Sequence, residues 1–410
     1  MPATPVTPSP AGSPASTPPH RTPGGAGRIA ALDVLRGVAI LGTLASNIWI
    51  FTTPGGPAEW ISSGFAGADP AERVLQALAN GKFLGLLTLL FGVGLELQYR
   101  SMVRRGLPWP GRYALRAGIL FVEGLVHYIL VFEFDVLMGY AIASLLAAYL
   151  IGRSDRVVRA WAGVLAGVYV AGIIAVTALL VVSGAAAEPD VAAEPDVAAE
   201  PGAAGGAAPA SSAVLSTASW LDQVLLRLTH VDVFRIELVL IVPSATILFL
   251  VGSRLVRAGM FSASEDGARL RRRLAWVGLG AGVPLNALTT WAGPDWFLVD
   301  RYLVAPWVAL GILALGTTLV ERGGPAGLLR RGIEAVGRTA LSCYVLQNVL
   351  ASALCYDWGL GLAGGGPWQA VAIWAGVSVT LMVLAPLWLR RWPRGPIELL
   401  MHRVYDARRR

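Results

Sequence analysis

The sequence predicts an all-α polytopic membrane protein of about ten transmembrane helices with both termini cytoplasmic. Three observations carry this prediction. The 410-residue chain is 55% hydrophobic and only 14% charged, with a mean hydropathy of +0.60, whereas soluble domains carry roughly a quarter charged residues. Apolar runs of about 20 residues, long enough to cross a bilayer as helices, recur along nearly the whole chain. The connections between them are alternately rich and poor in arginine. By the positive-inside rule, every second connection and both ends then lie in the cytoplasm.

Taken in order, residues 1–27 are rich in Pro, Ser, Thr and Gly and read as a disordered cytoplasmic tail. The first apolar run is too long for a signal peptide, so it stays as span one, roughly 34–52. The loop 53–73 is nearly free of bases, and span two covers 74–97 before Arg100, Arg104, Arg105 and Arg112. Spans three and four, 113–132 and 135–151, meet at a turn carrying Glu133 and Asp135. Arg153, Arg156 and Arg159 then precede span five, 160–183. The repeat AEPDVAAEPDVAAEP lies in a low-complexity external loop, 184–218, and residues 216–232 suit an interfacial helix. Spans six to ten follow at 234–253, 274–292, 302–320, 335–354 and 367–389. Arg254, Arg257, Arg269 and Arg271–Arg273 follow span six, and Asp295 and Asp300 follow span seven. Arg322, Arg330 and Arg331 come next, then Asp357 alone, then Arg390, Arg391, Arg394 and Arg403. The chain thus divides into the tail 1–27, a half-bundle 28–183, the loop 184–218, a half-bundle 219–394 and a basic cytoplasmic tail 395–410.

Several functions are excluded. The net charge of +7 sits in arginine clusters between apolar runs, which reads as topology and not as a nucleic-acid face. Cys343 and Cys355, twelve residues apart in one run, would lie roughly 18 Å apart on a helix, too far for a disulfide. No zinc spacing, CxxC or Walker A sequence is present, so neither a metal nor ATP hydrolysis is expected.

The polar residues inside apolar runs are the functional candidates, because ionisable groups are costly in a bilayer. Asp33 and Arg36 share one face at the inner mouth of span one. They either fix the helix start as an ion pair or present Arg36 to an anion. Asn47 lies roughly 16 Å further along that helix, level with His127 and with Lys82, the only lysine. Of the four histidines, only His127 falls in a span, and Asp135 follows eight residues later. A carboxylate bonded to that imidazole would orient it as a general base; the alternative is a pair that ties two helices together. Glu123 lies one turn before His127 and either joins that site or pairs with Arg116. Lys82 meets an anion or carbonyl, or snorkels to the outer surface. Arg338 lies at the inner start of span nine as a second candidate anion contact, and Tyr344 and Gln347 follow on that helix as candidate lining of a cavity through the bundle.

The segments LDVLRGVAILGTLASNI, KFLGLLTLLFGVGL, GLVHYILVFEFDVLMGYA, GRTALSCYVLQN and RGPIELLMHRV resemble, in order, the motifs of the YeiB family of bacterial inner-membrane proteins. His127, Asp135 and Lys82 match that family's positions, with Phe134 where the family has Gly. The first motif is also similar to acyltransferase family 3 and to the heparan-glucosaminide acetyltransferase group. Asn47 stands where acyltransferase family 3 carries a His and where the acetyltransferase group carries Asn, so a base must come from elsewhere in the chain. The resemblance implies a multi-pass acyltransferase of the bacterial cytoplasmic membrane. It would move an acyl group, with acetyl-CoA the expected donor, to an extracytoplasmic hydroxyl or amine acceptor such as a sugar or envelope lipid. On this reading His127 is the base, Asp135 orients it, and Asn47 or Lys82 stabilises the oxyanion. Asp33, Arg36, Gly37 and Arg338 hold the donor, with Gly37 allowing its close approach. Lys82, Glu123, Tyr344 and Gln347 line the acceptor side. Membrane lipid is an expected partner, and a homodimer is left open. The rival reading is a transporter or permease that uses the same residues as a substrate or proton path.

Overall fold

The computed structural model describes residues 30–62, 69–186, 219–324 and 326–407. The tail 1–27 and residues 187–218 of the expected external loop lie outside the described residues. Every regular element among the described residues is helical. In chain order these are α1 (Ala30–Thr52), α2 (Gly56–Ser62), α3 (Pro70–Ala79), α4 (Lys82–Arg104), α5 (Tyr113–Leu130), α6 (Leu137–Ile151) and α7 (Asp155–Ala186). After the loop come α8 (Trp220–Thr229), α9 (Val231–Arg235), α10 (Leu238–Arg257), α11 (Glu265–Ala275) and α12 (Gly282–Trp291). The last are α13 (Phe297–Val299), α14 (Ala305–Arg322), α15 (Leu328–Arg338), α16 (Ala340–Cys355), α17 (Pro367–Leu389) and α18 (Pro396–Ala407).

Seven stretches are long and apolar enough to cross a membrane, and α6 and α16 are shorter apolar helices. The expected span 274–292 is also helical, but its first turns, Trp276–Ala281, are π-helical. Helix α1 is mostly apolar and, apart from a few partly exposed residues such as Arg36, is buried. It packs against α4, α14, α15, α16 and α17. By contrast α7 lies at the edge and exposes Trp161, Val164, Val168 and Leu179, an apolar face that suits lipid.

Two expected spans are broken, and the breaks set the site. Span 74–97 divides at Asn80 and Gly81 into α3 and α4. Gly81 has φ +68°, and a Cβ there would lie 2.5 Å from the Arg301 carbonyl oxygen, so glycine is required twice over. Lys82 therefore opens α4 instead of lying within one long helix. Span 335–354 divides at Thr339 (φ −117°, ψ 37°), which ends α15 at Arg338 and starts α16 at Ala340. The segment 395–410, expected as a tail, forms α18 as far as Ala407 and directs Glu398 onto the start of α16.

Helices α1 and α15 cross with almost no side chain between them. A Cβ on Gly37 would meet the Ile333 carbonyl oxygen at 2.0 Å, and one on Gly337 would meet the Asp33 carbonyl oxygen at 1.7 Å. Small residues at such crossings let backbones approach where lipid offers no hydrophobic drive. Gly37 thus has a packing task, and no space is left at its α-carbon for a donor to approach.

Candidate functional site

His127 sits one turn before the end of α5, where its carbonyl accepts the amides of Val131 (2.9 Å) and Phe132 (3.0 Å). The chain then turns back through Phe134, whose ring meets those of Trp60, Phe132 and Phe234. This return brings Asp135 to the imidazole: Oδ1 lies 2.8 Å from His127 Nδ1. The second oxygen of Asp135 accepts the amides of Leu137 (2.9 Å) and Met138 (3.2 Å), which otherwise lack partners at the start of α6. One carboxylate therefore anchors a helix and orients a histidine. A carboxylate only accepts, so Nδ1 carries the hydrogen of this bond, and in the neutral imidazole Nε2 then keeps its lone pair. That lone pair faces Asn348 Nδ2 of α16 at 3.2 Å. His127 and Asp135 are both buried, at 2% and 1% exposure.

Asn348 opens a row of polar groups on α16. Among the described residues, Asn348 Oδ1, both amide atoms of Gln347, Ser352 Oγ and the Tyr356 hydroxyl are buried with no hydrogen-bond partner. Asn348 and Ser352 are four residues apart, so they lie on one face of the helix, and Tyr356 follows just past its end. Each unmade buried hydrogen bond costs about 1–3 kcal/mol. Such a run, with Asn348 bonded to an oriented histidine, is the lining expected of a site for a polar ligand. Tyr344 completes the wall, its ring centroid 5.2 Å from that of His127.

The loop carrying Asp135 is clamped from outside. Arg227 of α8, fully buried, pairs with Glu133 at 2.9 Å and donates to the carbonyls of Ile129 and Val131 at 3.1 Å. Arg235 of α9 lies 4.0 Å from the centroid of the Tyr128 ring and donates to the Asp135 carbonyl at 3.1 Å. The helix expected at 216–232 therefore fixes the His127–Asp135 turn.

The other sequence candidates fall in separate places. Asp33 and Arg36 form an ion pair at 3.5 Å, with the Arg36 side chain 32% exposed. Arg36 lies over Gly94 of α4. Arg338 ends α15 beside the crossing with α1, and its Nε has no hydrogen-bond partner among the described residues. Glu123 does not pair with Arg116, which instead donates to Gln98 Oε1 at 3.0 Å. Asn47 is buried on α1, and no hydrogen bond among the described residues joins it to His127. Lys82 is not bonded to His127: it donates to the Ala77 carbonyl in the last turn of α3. There it adjoins a closed polar knot in which Asp300 accepts Asn80 (2.8 Å), Thr289 (2.7 Å) and Asn286. Arg301 donates to Asn80 Oδ1 at 3.1 Å, and Tyr302 donates to Glu237 at 2.5 Å. These bonds staple the α3–α4 turn to α12 and to the π-helical turn Asp300–Val304.

Asn348, Ser352 and Tyr356 were missed from sequence, although polar residues at four-residue spacing from Asn348 were a readable signal. Glu96 was missed too. It accepts Arg100 (3.0 Å), Ser253 (2.7 Å) and Arg257 (3.1 Å) in a buried network near Arg36. Arg100 follows at four-residue spacing on α4, but no local pattern announces Ser253 and Arg257, which come from α10.

Residues 255–408 match the family described as "Protein of unknown function (DUF418)". The matched region contains Asn348, Ser352 and Tyr356 but not His127, so the site draws on both parts of the chain. The chain is 26% identical over 389 residues to the uncharacterized protein YeiB of Escherichia coli (strain K12), spanning 91% of this chain and 95% of that protein. It is 24% identical over 395 residues to the uncharacterized protein YxaH of Bacillus subtilis (strain 168), spanning 91% and 93%. No solved structure matches the chain. With its all-helical, membrane-length architecture and its similarity along nearly the whole of two bacterial proteins, the chain is YeiB-like.

Proposed function

We propose that this chain is an acyltransferase embedded in a bacterial cytoplasmic membrane. It takes an acyl group, acetyl first among candidates, from a cytoplasmic acyl-CoA and passes it to an extracytoplasmic hydroxyl or amine. The observation that carries this reading is the buried His127 imidazole, bonded through Nδ1 to Asp135 and through Nε2 to the Asn348 amide of a helix whose Gln347 and Ser352 are buried without partners. It extends the expectation drawn from the first motif, whose residues resemble those of transmembrane acyltransferases. In this mechanism Nε2 takes the acceptor's proton as the acceptor oxygen or nitrogen attacks the thioester carbonyl. The unpartnered amide donor of Gln347 serves the developing oxyanion, with Asn47 on the facing helix. Lys82, held in another turn, is left out. The rival permease would use the same unpartnered row for passage and would give flux without any acylated product.

Two results test the donor side. Arg36, half-exposed beside Asp33, is placed to grip a phosphate or carboxylate with a planar fork that lysine lacks. Arg36→Lys and Arg36→Ala should both weaken acetyl-CoA binding by about ten- to a hundredfold, the worth of a charge-assisted contact. Calorimetry on the purified protein checks this, and wild-type affinity in Arg36→Lys would remove the bidentate role.

The charge alternation supports an orientation with both termini cytoplasmic. Cys343 and Cys355 are buried, so engineered surface cysteines report alone. Arg156→Cys should react with an impermeant maleimide only from the cytoplasmic side, and Ala292→Cys only from outside. The reverse pattern would invert the topology and put the acyl-CoA on the wrong face.

A further inference from the structure

We propose that Glu123 holds the proton that acyl transfer must carry from His127 to the cytoplasmic end of the bundle; this rests on the acyltransferase reading above. Both carboxylate oxygens of Glu123 are buried without a hydrogen-bond partner among the described residues. Glu123 lies on α5 four residues before His127, hence on the same face and about 6 Å nearer the expected cytoplasmic end. The base on its own helix, Arg116, is engaged with Gln98. The acids near enough for their charge to act on Glu123 are Asp135 and Glu398. Asp135 is bonded to His127. Glu398, from α18, accepts the amides of Leu341 (2.9 Å) and Ser342 (3.3 Å) and the Ser342 hydroxyl at the inner start of α16. Asp135 in the turn after α5, His127 in the last turn of α5, Glu123 one turn further in and Glu398 at the start of α16 thus follow one another toward the expected inner end. An amide at position 123 would avoid the cost of burying an unpaired acid, so a task that needs ionisation is indicated.

The reaction itself requires such a task. The acceptor's O–H bond breaks, its proton goes to His127 Nε2, and its oxygen forms the ester bond to the acyl carbon. The thioester C–S bond breaks and leaves its electron pair on sulfur. His127 must then lose a proton, and the thiolate must gain one to leave as CoA thiol on the cytoplasmic side. Glu123 takes the proton from the imidazolium and returns it to sulfur. The sum is acceptor hydroxyl plus acyl-CoA giving acyl ester plus CoA thiol.

Glu123→Gln and Glu123→Asp test this in liposomes with acetyl-CoA on the cytoplasmic side. Glu123→Gln should bind acetyl-CoA as wild type does, turn over about a hundredfold more slowly, and show a larger ratio of rates in H2O and D2O. Glu123→Asp should recover most of the rate. Infrared spectroscopy of the protein alone, titrated with acid and base, should show a carboxyl band that changes protonation and is missing from Glu123→Gln. Wild-type turnover in Glu123→Gln would overturn the relay. If wild type itself transfers nothing, the acyltransferase reading falls, and the infrared titration still decides Glu123. A carboxyl that never changes protonation would overturn its part.

Discussion

His127→Ala should abolish acyl transfer, a loss of about two to four powers of ten in rate, while CoA binding at the distant inner mouth persists. The site adds a structural cost that the sequence does not reveal. Removing the imidazole leaves Asp135 Oδ1 and Asn348 Nδ2 buried without that partner, each at about 1–3 kcal/mol. A fall in Tm should therefore accompany the loss, and bound CoA in the variant shows that the bundle survives. Asp135→Asn sharpens the test. From sequence alone it is expected to cost less than removal of the base. The two amides at the start of α6 change this, because they demand an acceptor and so draw the asparagine oxygen to themselves. The asparagine NH2 then faces Nδ1, forces the hydrogen onto Nε2, and removes the lone pair the mechanism needs. Asp135→Asn should consequently lose nearly as much activity as His127→Ala while keeping more stability. Purified protein in liposomes with labelled acetyl-CoA and envelope material as acceptor measures both. Full transfer by His127→Ala would end the mechanism.

The double variant Gly37→Ala/Gly337→Ala should fail to accumulate as a folded protein. Each methyl group would point at a backbone carbonyl oxygen, at 2.0 Å and 1.7 Å, and backbone cannot swing aside as a flexible side chain can. Overpacking of a core costs about 1–3 kcal/mol where side chains can shift; here two helices must separate, so a cost above that range is expected. The control is Gly118→Ala on α5, where a Cβ meets nothing within 4 Å. It should be neutral or stabilising by up to about 1 kcal/mol. Fluorescence-detected size-exclusion chromatography with thermal melting separates these outcomes. A monodisperse double variant with wild-type Tm would show that the α1–α15 crossing is not tight.

These expectations divide by where their information lies. Hydropathy and charge alternation made the helices readable, because a bilayer sorts about 20-residue segments by composition alone. The His127–Asp135 pair was readable because one short turn joins its members. Asn348 was visible as a residue and not as a partner: it meets His127 from 221 positions away, and that meeting depends on how α16 rotates after the break at Thr339. Lys82 was misplaced because the glycine turn at 81 splits an apolar run that composition reads as continuous. Gly37 looked like room for a ligand, but the crossing with α15 fills that room with backbone. The sequence by itself therefore determined the class of protein, the approximate positions of its helices and the presence of a buried histidine with its acid. Only the tertiary structure decided which polar groups surround that histidine and which are closed into other networks. Helix rotation, breaks and crossing depth arise from packing between segments far apart in the chain, and no periodicity within one segment encodes them.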